Sequence, residues 1–327
     1  MNPARTREIA LALTSEPSVT DSDGESRFAF FLRDLLLGWP YFAANPGNIR
    51  LIRTVDDVHE RYALAAFAGP PATEPPPDGL PAHGRAGQRA VSPAIILTGH
   101  YDVVSVENYG SLAPLAFNPD ALALRLVAAL ESEASAAAVR GERSGETDRR
   151  ALEDLRSGEF LPGRGLLDMK AGLAAGLAVL EEHADRCMRS AGASREAVGA
   201  VGASGAGATE QIGSLIFLAV PDEEGSSHGM LGAVRALPGL LAEWGLDAVA
   251  AINLDAAVDQ GDGSAGRAAF LGSVGKLHPF VLFVGRPTHA GAPFDGVNPA
   301  LAAAEFARGM ECASGLFDVP SALAPLC

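Results

Sequence analysis

The stretch ILTGHYDVV, residues 96–104, decides how the chain is read. An apolar run that begins at Ala94 is interrupted by Gly99 and His100. Asp102 follows, and Val103 and Val104 resume the apolar character. A short, continuous aliphatic run is the pattern of a strand covered on both faces, as in a parallel sheet. SLIFLAV (214–220) is a second run of this kind, and LDAVAAINLD (246–255) contains a third. Helical stretches separate them. That alternation predicts an α/β fold with a mainly parallel central sheet flanked by helices.

In an open α/β sheet, ligands gather at the carboxyl ends of the strands. The first run delivers His100 and Asp102 there. The second is followed by PDEE, with Asp222, Glu223 and Glu224, and the third delivers Asp255. Between the first two, GRGLLDMK places Asp168 at the start of a helix. A histidine with several carboxylates suits zinc or a similar divalent ion, and a carboxylate can bridge two ions. In extended backbone, residues i and i+2 point to the same side, so Asp102 is placed to orient His100 from behind. Of the adjacent glutamates, one can bind metal while the other accepts a proton from water. Each piece alone has a plainer reading: a turn after a strand, a helix cap at Asp168, a loop carboxylate at Asp255. A magnesium site for phosphoryl transfer fits less well, because no glycine-rich phosphate loop of the right spacing is present and His100 is a poor magnesium ligand.

The bulk numbers are those of an ordinary soluble globular protein. Forty acidic against 25 basic residues give a net charge of −15, which argues against nucleic acid or an anionic membrane as partner. No apolar stretch of about 20 residues exists, so no membrane span is expected. The N-terminus lacks a secretory signal, and Cys187, Cys312 and Cys327 are scattered and odd in number. Both point to a reducing, cytoplasmic setting.

Along the chain, helices are predicted over 4–14 and 25–37, the second after the cap-rich SVTDSDGE. Strands are predicted over 49–55 and 61–68, and a Pro/Gly-rich loop over 68–89. Residues 128–158 read as helix, loop, helix, and 168–184 as a helix with Met169, Leu173, Leu177 and Leu180 on one stripe. The Ala/Gly/Ser segment 190–209 reads as a flexible insertion. After residue 265 short strands and turns precede a helix capped by Asn298. A boundary falls near Ala269. His59, His83 and His183 are expected at the surface, and His228 and His278 in structural or surface roles.

The motifs TGHYDVV, GRGLLDMKAGLA, FLAVPDEEGSSHG and NLD, in this order, resemble the aminoacylase, acetylornithine deacetylase and succinyl-diaminopimelate desuccinylase family of metallopeptidases. The resemblance spans SVTDSDGE to THAGAPFDGVNPA. YGSLAPLAFNPDAL and VGKLHPFVLFVGRPTHAGAPFDGVN are similar to its arginine-utilisation (RocB-like) branch. The resemblance implies two zinc ions, with cobalt or manganese as substitutes. His100 and Asp255 would bind one, Glu224 the other, and Asp168 both. It implies Glu223 as general base, Asp102 as the residue orienting His100, and His289 as an oxyanion-stabilising residue reaching a partner subunit of a homodimer. The implied reaction is hydrolysis of an amide bond in a small N-acyl amino acid or short peptide. Residues 1–269 would form the catalytic metal-binding domain and 270–327 part of a lid and dimerisation domain. In the family the catalytic domain resumes after the lid and brings a last zinc-ligand histidine. None of the seven histidines here takes that place, so the chain is expected to be C-terminally truncated. The alternative is an inactive fragment or a metal-binding protein that is not an enzyme.

Overall fold

A computed structural model describes residues 2–70, 91–140, 145–199, 213–255 and 280–311. The chain divides into two compact units, 1–267 and 268–327.

The first unit is built on a five-stranded sheet. β1 (Ile49–Arg53) and β2 (Tyr62–Ala68) form a hairpin-like pair, followed in the chain by β3 (Ser92–His100), β4 (Ser214–Val220) and β5 (Leu246–Asn253). The spatial order is β1-β2-β4-β3-β5. β3 runs parallel to both β4 and β5, while β2 is antiparallel to β1 and β4. The parallel core is thus the three strands singled out by their apolar runs. The register sets His100 opposite Val220 and Thr98 opposite Asn253, so all three parallel strands end on one edge.

Helices cover both faces. α1 (Pro3–Ser15), α2 (Asp23–Leu37) and the short α3 (Pro40–Ala44) precede the sheet. α4 (Pro119–Val139), α5 (Glu146–Ser157) and α6 (Ala171–Gly199) lie between β3 and β4, and α7 (His228–Trp244) between β4 and β5. Leu64, Ala66, Phe217 and Ala219 face α1, α2 and α6 in one core. Ala63, Ala65, Ile216, Leu218 and Val220 face α7 in the other. Adjacent residues of one strand therefore serve opposite cores, and the strand reads as unbroken apolar sequence. α2 starts where Ser22 accepts the Glu25 N–H, a capping bond that satisfies one of the free amides of the first turn. Its Phe28, Ala29, Leu32 and Leu36 are buried at helical spacing.

Three expectations need correction. The helix expected from residue 168 begins at Ala171; Leu166–Lys170 is irregular, with Asp168 at φ −116°, ψ 95°. Met169, Leu173, Leu177 and Leu180 are nevertheless all fully buried. The supposed insertion at 190–209 is helical as far as Gly199, where α6 ends. Alanine, the best helix former, explains this better than flexibility does. Residues 200–209, like the loop over 71–89, lie outside the described residues. His183 is half-buried rather than exposed, with Nε2 3.6 Å from the Sγ of buried Cys187. His83, His278, Cys312 and Cys327 also lie outside the described residues.

The second unit contains α8 (Pro299–Glu311), with Asn298 accepting the Ala300 N–H at its start. Of the expected strands, the described residues show a single bridge, between Arg286 and Val297. No described helix is long and apolar enough to cross a membrane.

Just before β2, buried Arg61 grips Asp57 with two parallel hydrogen bonds of 2.8 Å. Burial works to raise the Asp57 carboxyl, but the Arg61 guanidinium, the His59 N–H and the Thr54 hydroxyl together hold it down to about 2. The folded value lies below the unfolded one of about 3.9, so this pair contributes stability above that pH and loses it as pH falls towards 2. The melting-temperature gap between wild type and Asp57→Asn should therefore be full above about pH 5 and shrink on acidification towards pH 2. A gap independent of pH in calorimetric scans would contradict this.

Candidate metal centre

β3 ends on His100, which is 2% exposed. Its Nδ1 lies 3.0 Å from the backbone oxygen of Asp102 and 3.4 Å from that residue's Oδ1. Its Nε2 lies 2.9 Å from Asp168 Oδ1 and 4.0 Å from Glu223 Oε2. The carbonyl fixes Nδ1 as the protonated nitrogen and turns Nε2 towards the carboxylates. Burial works against a charge on the ring, but the Asp102 carboxylate, helped by Asp168 and Glu223, overrides it and pushes the imidazole up to about 9.

Asp102 is fully buried, just beyond the strand. The carbonyl makes the shorter contact with the His100 ring. The carboxylate is directed at the acidic turn after β4: Oδ1 accepts the Glu223 N–H and Oδ2 the Glu224 N–H, each at 3.0 Å. Burial alone would raise this carboxyl, but the hydrogen bonds from His100 and the two amides lower it below the ordinary range.

Asp168 is not a helix cap. Its extended backbone turns the carboxylate to His100, and a cis peptide bond joins it to Met169. The segment is pinned on both sides. Met169 is buried against Gly99, and the Lys170 ammonium donates to the carbonyls of Leu13 (3.0 Å) and Glu16 (2.7 Å) at the end of α1. Burial pushes the Lys170 ammonium down to about 7.

His100 Nε2 and carboxylate oxygens of Asp168 and Glu224 all lie within 4.8 Å of one another. Burial, followed by the negative charge of Asp168, raises the Glu224 carboxyl. A mixed imidazole and carboxylate set with crowded negative charge is the donor chemistry of a divalent ion such as zinc, so these residues fit one. Asp255 stands outside that group. It lies two residues beyond β5 and lines a cavity of about 310 Å³ together with His100, Glu223, Asn253 and Met230. His289 belongs to the second unit, where it is exposed and its Nδ1 accepts the Gly291 N–H at 3.0 Å. Half-buried His228, for which the sequence left a structural or a surface role open, has Nδ1 2.6 Å from Asp222 Oδ2.

The segment carrying Asp255 is set by a close approach. A Cβ added at Gly172, in the first turn of α6, would stand 2.1 Å from the backbone oxygen of Leu254. Gly172→Ala should push the end of β5 outward, cost about 1–3 kcal/mol of stability and weaken zinc binding. Thermal melting and a competitive zinc titration check this; a variant that matches wild type in both would show that the contact does not position Asp255.

No family model matches the chain. It is 28% identical over 307 residues to Protein RocB of Bacillus subtilis (strain 168), covering 93% of this chain and 44% of RocB. It is 29% identical over 303 residues to the uncharacterized protein YqjN of the same organism, covering 93% of this chain and 45% of YqjN. The chain thus spans about half the length of the curated relatives it matches. Among solved structures, human carnosine dipeptidase 1 aligns at a TM-score of 0.39 and 11% identity, over 77% of this chain and 38% of that one. LapB from Legionella pneumophila aligns at a TM-score of 0.30 and 11% identity, over 79% and 45%. The resemblance to the RocB-like branch holds over nearly the whole chain.

Proposed function

We propose that this relative of RocB and YqjN carries the metal-binding core of a hydrolase that cleaves an amide bond in a small N-acyl amino acid or short peptide. The observation that carries the reading is the meeting of His100, Asp168 and Glu224 within 4.8 Å, where parallel strands end. His100, Asp168, Glu224 and Asp255 are assigned as ligands of two zinc ions, with Asp168 shared, following the family resemblance. Zinc, when bound, supplies Lewis acidity towards the amide carbonyl and lowers the pKa of water.

The remaining chemistry falls to the chain's own side chains. Glu223, with Oε2 4.0 Å from His100 Nε2, faces the same group of donors and is assigned as general base. It takes one proton from the attacking water as the new carbon–oxygen bond forms. It returns that proton to the leaving nitrogen as the carbon–nitrogen bond breaks, so the carboxylate is regenerated. Asp102 holds the His100 ring through its carbonyl and the backbone of both glutamates through its carboxylate. By resemblance, His289 of a second copy stabilises the oxyanion in a homodimer. Cys187 is a free, buried thiol, which suits a reducing, cytoplasmic setting.

The test is metal analysis paired with one substitution. Purified wild type should contain zinc, lose it to a chelator and take it up again. Glu223→Gln should keep the zinc but lose about 10²–10⁴-fold in turnover on a panel of N-acyl amino acids and dipeptides. Folded protein that binds no metal would overturn the reading. Undiminished turnover by Glu223→Gln would remove Glu223 as the base.

A further inference from the structure

Behind the acidic turn lies a buried ionic cluster that the proposed chemistry does not use. Its centre is Arg61, 2% exposed. Besides its grip on Asp57, its Nη1 reaches Asp21 Oδ1 at 3.1 Å, Glu25 Oε2 at 3.0 Å and Asp222 Oδ1 at 3.1 Å. Glu25 is fully buried; its Oε1 accepts the Asp222 N–H at 2.9 Å and its Oε2 the Asp21 N–H at 2.8 Å. Asp222 closes the turn from within. Its Oδ2 accepts the His228 N–H at 2.9 Å, and its carbonyl accepts the Ser227 N–H at 2.6 Å. Its φ of 66° is left-handed, a conformation that aspartate tolerates but that its surroundings must hold.

The consequence for the turn is specific. Three successive backbone amides point at buried carboxylates: Asp222 at Glu25, Glu223 and Glu224 at Asp102. Both carboxylates belong to or touch one segment, residues 18–25. Thr20 Oγ1 donates to Asp102 Oδ2 at 3.3 Å. The Val103 N–H donates to Ser18 O and the Thr20 N–H to Val103 O, each at 3.0 Å. Residues 18–20 thus lie alongside 101–103, and Glu25 reaches across to 222. Stability alone does not explain such a cluster, since replacing buried ion pairs by apolar packing is often neutral or favourable. What the cluster does fix is geometry.

We propose that residues 18–25 form a brace, with Glu25 and Arg61 as positioning residues that set the backbone of Asp222 and so aim Glu223 and Glu224 at His100 and Asp168. The proposal rests on the reading of those two glutamates as proton carrier and metal ligand. Neither Glu25 nor Arg61 contacts the reacting groups.

The experiment measures two things on the full chain: amide hydrogen exchange over 221–228 without metal, and zinc affinity by competitive titration. Glu25→Gln keeps the shape of the side chain but turns one of its two acceptor oxygens into an NH2 donor, so it cannot accept from both the Asp222 N–H and Arg61. Exchange over 221–228 should rise by about tenfold or more while the strands stay protected, and zinc affinity should fall about 10–100-fold. Glu25→Asp should recover part of both. Glu243→Gln, at the distant surface pair with Arg50, should change neither. If Arg61→Met fails to fold, Glu25→Gln and Glu25→Asp still decide the matter. Unchanged exchange in Glu25→Gln overturns the brace, even where His100→Ala shows that the metal site is real. Faster exchange in a protein that takes up no zinc overturns the metal reading, and the positioning role with it. Faster exchange with wild-type zinc affinity shows a structural tie only and also overturns the positioning role.

Discussion

The buried carboxylate of Asp102 constrains everything around it. A charged group with no access to water is tolerated only where donors meet it. Here the donors are two backbone amides from a different strand's end and the Thr20 hydroxyl, with the His100 ring alongside. Those amides arrive only because β3 and β4 run parallel in the register that sets His100 beside Val220. A shift of that register would leave Asp102 buried and unpaired and would carry Glu223 and Glu224 away. Sheet register, ring orientation and the acidic turn are therefore one decision. The hydrogen bonds that hold the Asp102 carboxyl below the ordinary range also keep it charged at neutral pH, so that it supports positive charge at His100.

Much of this was readable beforehand, for a physical reason. β3, β4 and β5 lie between two layers of helices, and burial on both faces leaves an unbroken aliphatic run that few other environments produce. Their carboxyl ends then nominate His100, Asp102, Glu223, Glu224 and Asp255 as candidates without any knowledge of side-chain contacts, while Asp168 is nominated from the start of the following helix. Glu25 and Arg61 escaped because their sequence context points elsewhere. A glutamate in the first turn of a helix is ordinary capping chemistry, and an arginine as the first residue of an expected strand, 61–68, carries no sign of burial. Their burial comes from the approach of β2 and the turn after β4, and no local pattern carries that information. Asp168 shows the opposite error. The stripe through Met169, Leu173, Leu177 and Leu180 is real as burial, but only its last three members are helical, because the irregular backbone at 168–169 delivers Met169 to the same core while turning Asp168 to His100.

The acidic turn stands between two clusters with the same charge imbalance. On one side a single guanidinium, Arg61, faces the carboxylates of Asp21, Glu25, Asp57 and Asp222. On the other a single imidazole, His100, faces those of Asp102, Asp168 and Glu223, with Glu224 in the same group. The first cluster has its permanent cation built in, buried and hydrogen-bonded through all three of its nitrogens, so its geometry is fixed. In the second the ring's charge depends on a proton, and the Lys170 ammonium beneath it is turned to the carbonyls of Leu13 and Glu16. Asp168 and Glu224 meet that ring within 4.8 Å, a donor group that fits a cation able to come and go rather than a permanent salt bridge. Asp222, Glu223 and Glu224 belong to both clusters through consecutive residues. A fixed charge on one side can therefore hold the backbone still while the side chains on the other exchange a proton or a metal. This division of labour accounts for two ionic clusters back to back where one would be enough to cap a turn.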